Sequence, residues 1–324
     1  MKKHIWRWVL LLVAVVGNVA MSIAANINSA QDLKNALGSE ASISGNIVTL
    51  NSNKTIYETL NILGGEMTLV IPEGVTLTAD FSNIKGDAIA INVNGSGVNF
   101  VLKGGGVVTA NARNGKNGTS VTNQNGEDGQ NTRTIVFSMG NIFIEKIIIK
   151  GIAGKAGKAW DHWASIGKDG SPGETWVLDP EGDKKIKNTL APGYYIKNAT
   201  SDNYESAGYQ TNEVIVDIIT YQVTYNFNEG QKLSDGSSSY TVDTKDFKFP
   251  STSKNGYDFT GWKYNDNNVE VNNLPIPVDM WGETVGVEFV AGWSVIHYTI
   301  DYKLDGGTLD GTPETSYTIE DETF

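Results

Sequence analysis

Tyr221, Val223, Tyr225 and Phe227 alternate with Gln222, Thr224, Asn226 and Asn228, and the same alternation returns 77 residues later at Tyr298, Ile300, Tyr302 and Leu304. A strict period of two places four large apolar groups on one face of a strand and polar groups on the other, which predicts a half-buried β-strand. The register between the two stretches holds without a gap. Gly230 corresponds to Gly307, Ser239-Tyr240-Thr241 to Ser316-Tyr317-Thr318, and Phe247 to Phe324. The chain therefore contains one β-rich repeat unit and the start of another. Trp262 and Trp293 have no counterparts in the second copy. From this we expect the natural chain to run on past Phe324, and Ile296 to Phe324 to be poorly ordered because no core can close there.

Read together, the strand Tyr221 to Asn228, the turn at Gly230, Tyr240 to Asp243, Lys254 to Trp262 with its GYDFTGW, and Ala291 to Trp293 resemble the internalin B-repeat, or Listeria-Bacteroides repeat. The resemblance covers about a quarter of the chain plus the partial copy. It implies a small β-grasp-like module, found in tandem on bacterial surface proteins and associated with adhesion rather than catalysis. The chain departs from the pattern at Glu229, where the first Gly of a Gly-Gly turn is usual, at Thr252 in place of Pro, and at Gly292 in place of Lys. A non-Gly residue at 229 puts the turn at odds with the positive φ such turns require. Trp262 and Trp293 are assigned to the module's core, because a unit this small has few large aromatics with which to fill it.

The first 25 residues read as a secretory signal: Lys2, Lys3 and Arg7, then the apolar run Val9 to Val16, then Ser22-Ile23-Ala24 before Ala25. The run falls short of the ~20 apolar residues a spanning helix needs, so no transmembrane segment is expected after cleavage. With no cysteine in the chain, disulfides and a lipidated cysteine anchor are both excluded. The formal charge is −12, to which the leader contributes +3, so the mature chain is near −15. That acidity argues against nucleic acid as a partner, since phosphate backbones need clustered Lys and Arg. Secretion to the bacterial cell surface is the expected location.

Residues 26–219 read as an all-β domain. Ser29 with Asp32 three residues on predicts a capped helix over Ala30 to Leu37, stopped by Gly38. Strands follow at Ile47 to Leu50, Thr59 to Leu63, Met67 to Ile71, Val75 to Ala79, Ala88 to Val93, Val98 to Lys103 and Val107 to Ala110. Such a series makes either a right-handed parallel β-helix or a β-sandwich. The leading helix favours the coil, because it can cover an end of the stack that would otherwise meet water. Met67 to Phe81 is also similar to the opening rungs of pectate-lyase-like β-helices, a resemblance extending over 26–150. Strands resume at Thr134 to Ser138 and Asn141 to Gly151, with a parity change after Glu145 that predicts a bulge, and Val214 to Ile219 ends the domain.

Two stretches break the strand pattern. Residues 111–133, rich in Gly and Asn, show no apolar periodicity and read as a solvated loop. Asn125 to Asn131 offers carbonyl and carboxylate oxygens, yet its spacing does not fit a twelve-residue calcium loop, so no metal is assigned. Residues 153–208 form a Gly- and Lys-rich insertion carrying Trp160, Trp163, Trp176, Tyr194 and Tyr195. Those five aromatics are the ligand-binding candidates: either a stacking surface for a glycan or a cell-surface protein, or a satellite core beneath the insertion.

No catalytic constellation emerges. The NTD, DD, GHG and RIK motifs of β-helix hydrolases are missing, Arg113 and Arg133 are the only arginines after the leader, and His162 and His297 the only histidines. No phosphate loop and no cofactor motif is present. The expected organisation is a signal over 1–25, the β-domain over 26–219, a repeat module over 220–296 and a partial copy over 297–324. The expected role is binding or adhesion, with the repeats as spacer or stalk. The alternatives are a polysaccharide lyase or glycosidase carrying attachment repeats, and a purely structural surface protein.

Overall fold

A computed structural model describes residues 24–119, 125–159, 168–200, 208, 210–277 and 282–322. The chain is nearly all β and divides into two compact units: the residues up to Asp217 apart from Pro192–Tyr195, and Pro192–Tyr195 with Ile218 onward. Up to Ile218 the strands are β1 (Ala24–Ile27), β2 (Ala41–Ser44), β3 (Ile47–Leu50), β4 (Lys54–Ile56), β5 (Thr59–Ile62), β6 (Glu66–Val70), β7 (Thr76–Asp80), β8 (Ile91–Lys103), β9 (Val107–Asn111), β10 (Thr132–Ile144), β11 (Ile147–Ile152), β12 (Thr175–Pro180), β13 (Tyr194–Ile196) and β14 (Glu213–Ile218).

In the first unit most neighbouring strands pair in parallel, on three faces, as successive turns of one coil; β2 with β3 and β11 with β14 pair antiparallel, toward the ends of their sheets. Leu60, Ile91, Ile135 and Leu178 lie in register through β5, β8, β10 and β12. Val48, Leu69, Leu102 and Ile144 do the same through β3, β6, β8 and β10. Leu77, Val108 and Ile149 stack through β7, β9 and β11. All eleven side chains are at most 1% exposed, and each contributes about 1.5–3 kcal/mol by leaving water. Of the two expected architectures the pairing is that of the coil. A sandwich would have paired its strands antiparallel.

The 13-residue strands β8 and β10 each run through two faces. They turn where Gly140, at φ 72°, passes so close to Gly95 that a Cβ would sit 2.5 Å from the Gly95 carbonyl oxygen. The predicted bulge after Glu145 is instead a corner between faces. β10 ends at Ile144 and β11 begins at Ile147, and the Lys146 carbonyl between them accepts from Gly104 and Gly105. On the outside, Asn92 donates to Asn61 at 2.7 Å and Asn141 to Asn99 at 2.9 Å, so stacked amides reinforce the rung register.

The helix α1 spans Ala30–Leu37, as its sequence signals predict. Ser29 Oγ accepts from the Asp32 amide and the Asp32 carboxylate accepts from the Asn28 amide, closing the start reciprocally. Gly38 ends it at φ 78°. Leu33 and Leu37 are fully buried beneath it, so the helix seals apolar surface at the first rung. Among the described residues no helix is long and apolar enough to cross a membrane.

The second unit adds β15 (Thr220–Asn226), β16 (Gln231–Lys232), β17 (Ser239–Tyr240), β18 (Thr252–Ser253), β19 (Tyr257–Tyr264), β20 (Asn267–Asn268), β21 (Thr284–Val295), β22 (Tyr298–Thr299) and β23 (Ser316–Tyr317). Five of these form a sheet in the order β17-β15-β21-β19-β20, with β15 and β21 parallel at its centre. Its apolar face closes over Phe289 and Trp262, and Trp293 packs at the edge of the same cluster. The indole N–H of Trp262 donates to the Pro250 carbonyl and that of Trp293 to the Phe227 carbonyl.

Two side-chain arrangements recur at an offset of 77 residues. Tyr221 stacks on Tyr240 at 4.9 Å, and Tyr298 on Tyr317 at 5.1 Å. The Tyr225 hydroxyl donates to the Ser237 carbonyl, and the Tyr302 hydroxyl to the Glu314 carbonyl. What differs is burial: Tyr221 is 0% exposed, whereas its counterpart Tyr298 is 37% exposed, with Tyr302, Leu304 and Ile319 similarly open.

The turn at Glu229 shows the strain its sequence predicts. Asn228 and Glu229 sit at φ 49° and 66°, and their counterparts Asp305 and Gly306 at 42° and 94°. A left-handed conformation costs a non-Gly residue about 1–2 kcal/mol, and glycine loses about 0.5–1 kcal/mol through its freer unfolded chain. The exposed Glu229–Lys254 ion pair adds little. Glu229→Gly should therefore raise the module's stability by about 0.5 kcal/mol in urea unfolding; a fall would mean that the ion pair outweighs the strain.

Buried phenols make this unit alkali-sensitive. Desolvation pushes the pKa of Tyr221 and Tyr225 from 10 up to about 12, and it raises that of Tyr240 as well. Tyr221 has no hydrogen-bond partner for its hydroxyl. Since the folded pKa lies above the unfolded value, the contribution is complete below pH 10 and is lost as pH rises toward 12. Unfolding of the second unit should appear in that window, and tyrosinate absorbance at 295 nm should rise with it rather than before it.

Candidate functional site

Among its described residues the stretch expected to be a solvated loop is packed against its neighbours, and its organising period is three. Four extended segments, 112–119, 125–131, 153–159 and 168–174, lie side by side, the first two connecting β9 to β10 and the last two β11 to β12. Hydrogen bonds run between segments at every third residue. Gly115 and Gly118 donate to the Lys155 and Lys158 carbonyls, Gly126 and Gly129 to Lys168 and Ser171, Gly154 and Gly157 to Gln130 and Glu127, and Gly170 and Gly173 to Gly157 and Gly154. The segment 125–131 touches all three others, so the bundle is a packed array and not a pair of loose hairpins.

Glycine is required here for space. A Cβ on Gly115, Gly129 or Gly154 would lie 1.9 Å from a neighbouring carbonyl oxygen, and none of these glycines has positive φ. Extended chains with three residues per turn bring every third residue to the axis of contact, where only hydrogen fits. The residue before Gly115, Gly118, Gly126 and Gly129 is also used, as is Asn131 three residues beyond Asp128. Asn114, Asn117, Asn125, Asp128 and Asn131 accept through side-chain oxygens from the amides of Lys155, Lys158, Lys168, Ser171 and Glu174. The oxygens weighed as calcium ligands are thus engaged with backbone. Pro172 occupies the one place in its triplet whose amide makes none of these bonds. Two ion pairs brace the array, Arg113–Glu127 at 2.8 Å and Lys158–Asp169 at 2.6 Å, and both hold the carboxyl group below its usual pKa.

At the root of this bundle, where segments 125–131 and 168–174 become β10 and β12, the surface opens into a cleft of about 500 Å3 lined by Asp87, Asn131, Arg133, Trp176, Asp179 and Gly208. Strand register builds it. Thr132 pairs with Ala88 on one side and Thr175 on the other, and Arg133 pairs directly with Trp176. The Arg133 guanidinium is held from two directions: Nε donates to Asp179 and Nη2 to Glu181 at 2.7 Å. Partial burial works against its charge, but the hydrogen bonds to Glu181 and Asp179 hold its pKa above the ordinary arginine value. The Trp176 ring is half-buried, with its indole N–H 3.4 Å from Glu174 and the Gly208 backbone against its benzo edge. A side chain at 208 would crowd the ring, since a Cβ there would be 3.0 Å from it.

The five sequence candidates separate. Trp176 lines the cleft. Trp160 and Trp163 lie outside the described residues. Tyr194 and Tyr195 are buried at 7% and 4% exposure, and Tyr195 belongs to the apolar core of the second unit, so neither offers a stacking face. Arg133, Asp87 and Asp179 escape a sequence reading, being far apart in the chain and joined only by rung register. The signal that could have found the bundle is the Gly-x-x spacing at 115/118, 126/129, 154/157 and 170/173.

Compared with known proteins, the chain matches no family model, no curated protein and no solved structure.

Proposed function

We propose that the chain is a secreted bacterial surface protein that binds a partner through its N-terminal coil, with the repeat modules serving as spacer or adhesive stalk. The observation that carries this reading is the Trp176 cleft seated at the root of the glycine bundle. An aromatic ring beside a clamped guanidinium and carboxylates is a recognition surface. A structural rod needs no such cleft, and the bundle fixes the two strand starts that shape it. The leader-like N-terminus and the resemblance of 221–294 to internalin B-repeats support export and surface display. Against the enzyme reading stand the absent hydrolase motifs and the pairing of Arg133 with two carboxylates, which leaves it no free proton acceptor role.

The test is to incubate the purified chain with polysaccharides, bacterial wall fragments and cell-surface protein extracts, following both retention and product release. Saturable retention without new reducing ends or unsaturated sugars supports the proposal. Released sugars, or no saturable retention on any surface, would sink it.

A further inference from the structure

From the chemistry of the cleft we infer that its ligand is a neutral, hydroxyl-rich glycan; this rests on the binding reading above and narrows it. Three observations converge. First, the charges at the site exclude anionic sugars: Asp87, Asp179, Glu181 and Trp176's neighbour Glu174 are four carboxylates against a single guanidinium, and that guanidinium already serves Asp179 and Glu181. A uronate or sulfated chain would find no free cation among these groups and would meet net negative charge.

Second, donors and acceptors stand side by side in a fixed arrangement. A cation requires only acceptors and an anion only donors, whereas each hydroxyl of a neutral sugar both donates and accepts. The Arg133–Asp179 pair offers N–H and carboxylate edges within one clamped unit, with side-chain exposures of 26% and 15%. The pair is thus reachable yet already ordered, so little side-chain freedom remains to be lost on binding. Third, the half-buried Trp176 supplies a flat apolar surface directly across one rung from Arg133, which suits the C–H face of a pyranose. A side chain at 208 would come within 3.0 Å of the ring, a contact that glycine there avoids.

The experiment is titration calorimetry of the full chain with a neutral β-glucan, a mannan, polygalacturonate and polylysine, repeated with Trp176→Ala and Trp176→Phe. Circular dichroism and melting curves report whether each variant folds. The expected result is binding to at least one neutral polysaccharide and not to polygalacturonate or polylysine. Trp176→Ala should weaken it at least about tenfold and Trp176→Phe, which keeps an aromatic face, about threefold or less. Preferential binding of polygalacturonate or polylysine overturns the neutral-glycan inference while leaving a binding protein. Neutral-glycan affinity unchanged in a folded Trp176→Ala chain overturns the placement at this cleft. Failure to bind any of the four overturns the inference, and only the wall-fragment and protein-extract retention described above decides whether the broader reading falls with it.

Discussion

Gly129→Ala is expected to dismantle the glycine bundle and destabilise the first unit by more than about 3 kcal/mol, among the largest effects any single methyl could have in this chain. Gly129 lies at the contact of three segments. A Cβ there would fall 1.9 Å from the Gly154 carbonyl oxygen and 2.9 Å from the Gly173 nitrogen. Neither obstacle can rotate away, because both are backbone and the Gly173 amide donates to that same Gly154 carbonyl across the array. Relief requires segment 125–131 to move off its neighbours, and each bond lost removes about 1 kcal/mol. Gly97→Ala is the control: its Cβ meets nothing within 4 Å and its φ is not positive, so stability should change by less than about 0.5 kcal/mol. Limited trypsin digestion gives an independent readout. Lys116, Lys155, Lys158 and Lys168 each have their carbonyl bonded across the bundle, so the parent chain should resist cleavage there, and Gly129→Ala should expose all four. Rapid cleavage of the parent at these lysines would mean that the stretch is the solvated loop its composition suggests.

That contrast shows where the sequence is legible and where it is not. Period-two alternation located most of the coil's strands, because each rung has one face in the core and the other in water. The helix was readable to the residue, since Ser29, Asp32 and Gly38 satisfy backbone groups locally and need no tertiary partner. The bundle buries almost no apolar side chain, so hydrophobic periodicity is silent about it. Its cohesion comes from backbone amides and from Asn and Asp side chains, most of them just before a glycine, residues that signal loops everywhere else. Its one sequence mark, glycine at every third position, is spread over four short segments from two separate parts of the chain. The cleft was hidden for a different reason: Asp87, Arg133 and Trp176 are each unremarkable alone, and only the parallel register of three rungs sets them together.

In the second unit, Trp262→Ala should cost about 3–5 kcal/mol. At 3% exposure the indole is packed edge-on to Tyr225 at 5.1 Å and Phe227 at 5.4 Å, and stacked near Phe249 at 6.2 Å. Removing it leaves a cavity whose walls resist collapse, because Tyr225 is fixed from behind by Phe289, and Phe249 by Phe289 and Phe247. It also strips the Pro250 carbonyl of its buried donor. Trp262→Phe restores part of the ring volume but not that hydrogen bond, so it should fall between the two, at about 1–3 kcal/mol. Because each unit has its own core, the loss should appear as a selective downward shift of one unfolding transition, leaving the coil's transition in place. Calorimetry of the full chain reads both at once. A single transition that shifts as a whole would show that the units unfold together, and an unshifted pair would mean that Trp262 serves a surface rather than the core.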